Sequence, residues 1–271
     1  NIIYCSNCNK MELLGTLTII GYILSTLSIK YVLLEEEYNF YKKTSFDVIF
    51  FLSLILFSIY AYSLISNVYQ KFNFITSLEI TFLIVNYLFF LFMFTKPIKH
   101  LGLVLLPLTA IAILISMVYH DNTNLGFIDP DLRIHIIVSI ASYGFLALGA
   151  IQAILLRYQE KKLKDVADSL FLNILPSIEK MEKVMFDLII FGFILLTLSL
   201  LSGVPFVSMN EHPGLLEKIL FSIIAWMTYS YLIYSRFSKG VRGRKATSFT
   251  LSGMSFLLIA YLGTKLFFEL Y

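Results

Sequence analysis

The chain has 271 residues, 58% of them hydrophobic and only 14% charged, and its mean hydropathy is +0.80. A water-soluble domain carries about a quarter of its residues as charges, so too little polar surface remains to coat a globule, and lipid must be the solvent for much of it. A formal charge of +3 without any block of like charges excludes a nucleic-acid-binding arm.

The N-terminus carries both cysteines, Cys5 and Cys8, in a C-x-x-C pair. One such pair reads as a redox or metal motif, and Asn9 after Cys8 rules out the haem-attachment form C-x-x-C-H. Met11 immediately precedes the first apolar run, so residues 1–10 read as lying upstream of the true start and residues 1–12 as an extracytoplasmic stub.

Apolar runs long enough to span a bilayer, about 20 residues each, follow at roughly 13–34, 46–68, 74–94, 98–119, 132–156, 184–206, 217–235 and 248–268. The first alanine is Ala61, so the first run has no A-x-A cleavage site and is expected to be a retained helix. The expected fold is all-α, a polytopic bundle of about eight transmembrane helices forming one membrane domain over residues 13–271. Counted by alternate loops, one face holds Lys10, Lys71, Arg133, Lys218 and Lys265, and the other holds the remaining 16 of the 21 Lys and Arg residues. Cytoplasmic loops carry the excess, which puts both termini outside. The longest inner loop, roughly 158–183, spaces Leu163, Val166, Leu170 and Ile174 as a helix would, and reads as an amphipathic helix on the inner membrane surface. The basic turn Arg236–Lys245 between the last two runs reads as a topology anchor, with contact to anionic lipid as the alternative.

Candidate chemistry gathers at the outer face. His120 ends the fourth run, His135 begins the fifth and His212 precedes the seventh, whereas His100 opens the fourth on the inner side. Neutral imidazole is the commonest protein ligand for metal or haem. In the fifth run His135, Ser139, Ser142, Gly149 and Gln152 share one stripe. A small and polar stripe in lipid faces the bundle interior, with helix packing alone as the plainer reading. Among other intramembrane polar residues, Glu79 and Asp187 lie a turn or two from predicted ends and are expected to snorkel or to be neutral; Asn86 lies deeper. No nucleophile motif, phosphate loop, H-E-x-x-H or dinucleotide fingerprint occurs, so side-chain catalysis is not expected.

The run Leu132–Leu156, with His135, Ser139, Tyr143 and Gln152, is followed by L-P-S-I-E-K-M-E-K-V-M-F (Leu175–Phe186) and F-G-F-I-L-L-T-L-S-L-L-S-G (Phe191–Gly203). Then come S-I-I-A-W (Ser222–Trp226), V-R-G-R-K-A (Val241–Ala246) and L-I-A-Y-L-G-T-K (Leu258–Lys265). In this order and spacing, residues 132–271 resemble the cytochrome c assembly (CcsA-like) family, in its YpjD/HemX-like branch. The resemblance implies a multi-pass protein of the bacterial cytoplasmic (inner) membrane that binds or handles haem non-covalently, with cytochrome c maturation components as partners. It makes His135, His120 and His212 candidate haem ligands and Arg133 and Lys265 candidate propionate partners. Trp226 is the only tryptophan, the W-G-x-x-W-x-W-D signature is absent, and Glu217 stands before K-x-x-x-S-x-x-A-W where many relatives carry histidine. Two alternatives stay open: a solute or metal transporter or its accessory subunit, and a membrane regulator acting through the 158–183 loop.

Overall fold

The computed structural model describes residues 2–34, 40–67, 74–118, 130–164, 175–207 and 215–263. Among them there is no strand, and eight α-helices follow one another: α1 Ile2–Leu34, α2 Phe40–Asn67, α3 Phe74–Phe92, α4 Gly102–Val118, α5 Pro130–Lys164, α6 Ile178–Val207, α7 Leu215–Lys239 and α8 Gly243–Leu258. A 3₁₀ turn, Lys99–Leu101, leads into α4, and a π-helical turn, Ile259–Gly263, follows α8. Six of the eight, all but α3 and α8, are long and apolar enough to cross a membrane; α3 contributes a shorter apolar stretch, Leu78–Phe92. A polytopic helical bundle is therefore the architecture.

Each helix falls on one of the eight apolar runs, and the differences lie at the ends. The α1 helix is continuous from Ile2, so residues 2–12 belong to it. The α5 and α6 helices reach Lys164 and begin at Ile178, which shortens the inner loop from both sides. Residues 165–174, where most of the amphipathic helix was expected, lie outside the described residues.

The chain divides into two compact units, one holding α1–α4 and the other α5–α8. In the first, α1 packs on α2 and α4, and α3 closes the ring against the same two helices. Its helices are inverted relative to those of a soluble protein. On α1, Thr18, Tyr22, Ser25 and Ile29 are buried at helical spacing, while Leu17, Ile20, Leu24 and Leu27 point outward. Lipid is as apolar as leucine, so close packing and internal hydrogen bonds decide which face turns inward. The α1–α2 crossing shows this: Ser25 and Ser53 share a hydrogen bond of 3.2 Å, and a Cβ on Gly21 would come within 2.7 Å of Ser53 Oγ. Around this crossing, Tyr22 meets Phe57 edge to face at 5.7 Å, and Phe50 meets Phe89 at 5.6 Å.

The second unit is also a ring: α5 packs on α6 and α8, and α7 on α6 and α8. Gly240 makes the α7–α8 turn possible. Its φ is +62°, a left-handed conformation that costs glycine nothing. The turn closes with bonds from the Gly240 N–H to the Arg236 carbonyl and from the Val241 N–H to the Ser235 carbonyl, the usual way a helix satisfies its last carbonyls. Beside the turn, Arg236 donates to Glu182 at 2.6 Å and covers the Phe186 ring at 4.5 Å. Arg157 donates to Thr247 at 2.9 Å. These contacts knit the basic end of the unit.

Candidate functional site

The polar stripe of α5 lies against α6 along its length. His135 Nδ1 and Ser202 Oγ are 3.0 Å apart, and Ser139 and Ser199 share a 2.6 Å hydrogen bond. Further along, Ser142 donates to the Gly192 carbonyl at 2.9 Å, and the Gln152 amide donates to the Met181 carbonyl at 3.0 Å. As numbers rise on α5, those of the partners fall on α6, the register of two antiparallel helices. Small residues set the approach. A Cβ on Gly192 would fall 2.7 Å from Leu146 Cδ2, and one on Gly203 would fall 2.9 Å from His135 Cε1.

At the end where α5 begins, α6 ends and α7 begins, the seam opens into a cavity of about 430 Å³. Leu132, Leu196, Leu200, Val204, Leu215 and Ile223 give it an apolar wall. Its polar groups are His135, Ser139 and Tyr143 from α5, Ser199 from α6, and Lys218 and Ser222 from α7. A mostly apolar hollow of this size with a few convergent polar groups is the usual form of a small-molecule site. His135 is half-buried in its wall, and the bond to Ser202 fixes the ring. An orienting hydrogen bond of this kind is what metal-ligating histidines use.

Of the candidate haem ligands and propionate partners, His135 is the one whose side chain is described, and it lines the cavity beside Ser139 and Tyr143 of the same run. Arg133 sits in the first turn of α5, and its side chain lies outside the described residues, as do His120, His212 and Lys265 altogether. His100 is buried in the first unit, in the 3₁₀ turn before α4. Glu217 is exposed near the start of α7 and does not line the cavity; its neighbour Lys218 does. Trp226 donates to Thr197 at 2.9 Å and stacks on Phe193 at 5.6 Å, so the single tryptophan is spent on packing α7 against α6. Reading the sequence missed Lys218, Ser199 and Ser202 as site residues. The signal for Lys218 was present: in K-x-x-x-S, Lys218 and Ser222 are four apart and therefore on one helix face.

The Cytochrome C assembly protein family matches residues 43–270. The chain belongs to this family. The match starts well before Leu132, where the recognisable motifs begin, and so takes in α2, α3 and α4 as well as the second unit. The inner membrane protein YpjD of Escherichia coli K12 is 28% identical over 173 residues, covering 62% of this chain and 65% of YpjD. Protein HemX of Bacillus subtilis 168 is 30% identical over 132 residues, 48% of either chain. The cytochrome c biogenesis protein CcsA of Prochlorococcus marinus MIT 9303 is 32% identical over 92 residues, 32% of this chain and 28% of CcsA. The aligned stretches thus cover less than two thirds of each relative. No solved structure matches.

Proposed function

We propose that this cytochrome c assembly-family protein binds haem non-covalently in the cavity between α5, α6 and α7, with His135 as the iron ligand, and holds or passes it without chemistry by its own side chains. The observation that carries this reading is His135: an imidazole at a family-motif position, oriented by Ser202, in the wall of a largely apolar cavity. The residues present fit the group. The apolar wall suits the flat macrocycle, and Lys218 on the same cavity suits its carboxylates, since a charge-assisted pair gains where water is partly excluded. Arg133 and Lys265 remain further partners for the propionates, and His120 and His212 are the candidates for a second iron ligand. Haem brings four nitrogen ligands with it and asks the protein for one or two. A bare metal ion would ask for several, and among the described residues no three His, Cys, Asp or Glu side chains converge. That difference favours haem over a metal-transport reading.

The reading places the cavity on the extracytoplasmic side of the bacterial inner membrane. Support for the side comes from the 16 of 21 basic residues that fall on the opposite loops. Support for the membrane comes from the six spanning helices and from the name of the relative YpjD. Cytochrome c maturation components are the proposed partners.

An absorption spectrum of the protein purified in detergent tests the binding. A Soret band that survives washing is expected. His135→Ala should abolish or shift it at nearly normal abundance, and Gly203→Ala should shift it without loss because the new Cβ displaces the ring. His100→Ala should leave the band unchanged. A colourless protein that also refuses added haem would overturn the reading. The membrane side is tested with a cysteine at Ser238, which should label only after permeabilisation.

A further inference from the structure

The first unit holds an acidic group that the proposed haem site does not use. Glu79, on α3, is 1% exposed. Of the two expectations for it, reaching the helix end or being neutral, its burial leaves the second. Neither carboxyl oxygen has a well-formed hydrogen bond, and no basic side chain pairs with it among the described residues. The hydroxyl of Ser116, on α4, lies close to the carboxyl. It is spent on the Ile113 carbonyl at 2.9 Å and on the Tyr60 hydroxyl of α2, also at 2.9 Å. The other titratable groups facing Glu79 are Tyr22 of α1 and Tyr60. Tyr22 is fully buried, and its hydroxyl likewise has no partner among the described residues. One rung along the same α3–α4 seam, the Asn86 amide donates to Thr109 at 2.8 Å, while Asn86 Oδ1 has no partner among the described residues. The pairs Glu79 with Ser116 and Asn86 with Thr109 obey one antiparallel register. The polar atoms therefore line one continuous seam between α3 and α4.

We propose that Glu79 is a proton-binding site inside the first unit, occupied as the undissociated carboxylic acid and exchanging its proton through the Ser116 and Tyr60 hydroxyls. An ionised carboxylate without a counter-charge is among the most costly groups to hold in an apolar interior, and among the described residues nothing positive faces this one. A proton removes that cost without needing space. A metal cation would need several oxygen ligands at once, and the Ser116 and Tyr60 oxygens are already engaged with each other. Release breaks the Glu79 O–H bond and leaves the carboxylate. Ser116 and then Tyr60 each accept one proton and give up another, and water at the end of the unit takes the last. The proposal does not depend on haem binding in the second unit.

The test uses the whole protein in lipid vesicles. Dicyclohexylcarbodiimide, which enters lipid and attacks undissociated carboxyls, should modify Glu79 at neutral pH and several-fold less in alkaline buffer, as read by peptide mass spectrometry. The exposed Glu179 and Glu217 in the same digest should stay unmodified. Infrared spectra should contain a carboxylic-acid carbonyl band that shifts in heavy water and is missing from Glu79→Gln. If that variant does not fold, deuterium sensitivity of the band and the pH dependence of labelling in the unaltered protein decide. Absence of any such carbonyl band, with only carboxylate absorption, overturns the proposal. So does protection of Glu79 from the reagent by sodium, but not by choline, at fixed pH, because a metal cation would then be the occupant.

Discussion

On the α5–α6 seam of the second unit, each polar side chain of the stripe meets a partner, from His135 with Ser202 down to Gln152 with the Met181 carbonyl. On the α3–α4 seam of the first, Glu79 and Asn86 keep polar atoms unpartnered among the described residues. Both seams join antiparallel neighbours within four-helix rings, so the helical scaffold does not account for the difference. The stripe of the second unit is built from an imidazole, two hydroxyls, an amide and a glycine, and holds no carboxyl. The seam of the first includes a carboxyl, which can be accommodated in lipid only by a countercharge or a proton. A satisfied seam fixes two helices in one register. An unsatisfied one marks a place where something else binds.

Substitutions can break or sharpen this contrast, beginning with the largest expected effect. Arg236→Ala would leave Glu182, whose side chain is 9% exposed, facing only the exposed Arg242 at 4.0 Å among the described residues. Stranding a buried partner outright costs about 3 kcal/mol or more; the solvated Arg242 offsets only part of this, and thermal unfolding in detergent should show a clear drop. Glu182→Gln in the same background should restore part of it. If Arg236→Ala melts like the unaltered protein, the pairing at the basic end is not a determinant of the fold.

Gly192→Val comes next. Its Cβ would meet Leu146 Cδ2 at 2.7 Å and the Leu146 backbone nitrogen at 3.2 Å, and overpacking of that kind costs about 1–3 kcal/mol. The same variant should weaken haem binding, because it pries apart the α5–α6 seam on which His135 sits. In the first unit, Thr109→Val removes the acceptor of the Asn86 amide and is expected to cost about 1–2 kcal/mol for the stranded donor. Asn86→Leu paired with Thr109→Val should recover most of this loss, since an all-apolar rung strands nothing. Failure to recover would mean that Asn86 Oδ1 has a partner of its own. The smallest effect belongs to Ser139→Ala. Hydrogen bonds between membrane helices contribute about 0.6 kcal/mol on average, so losing the Ser199 bond should scarcely move the unfolding midpoint. A large loss there would show that the paired seam is more cooperative than its separate bonds.

Much of this protein is set by composition and spacing alone. Unsatisfied backbone groups cannot be left in hydrocarbon, so apolar runs of bilayer length become helices wherever they occur, and each observed helix sits on one of the eight. The inward face of α5 was legible for a similar reason: polar and small side chains at three- and four-residue spacing share one face, and lipid gives that face nothing to bond to. What the sequence could not decide are the relations between helices. That Ser199 and Ser202 meet Ser139 and His135, or that Lys218 and not Glu217 reaches the cavity, depends on the register of α6 and the rotation of α7. Side-chain packing across the seam sets both. Glu79 makes the same point in reverse. Its distance from the end of α3 allowed an exposed carboxylate, and α2 and α4 enclosed it instead. Burial belongs to the neighbours that cover a residue, and those are brought together only when the bundle closes.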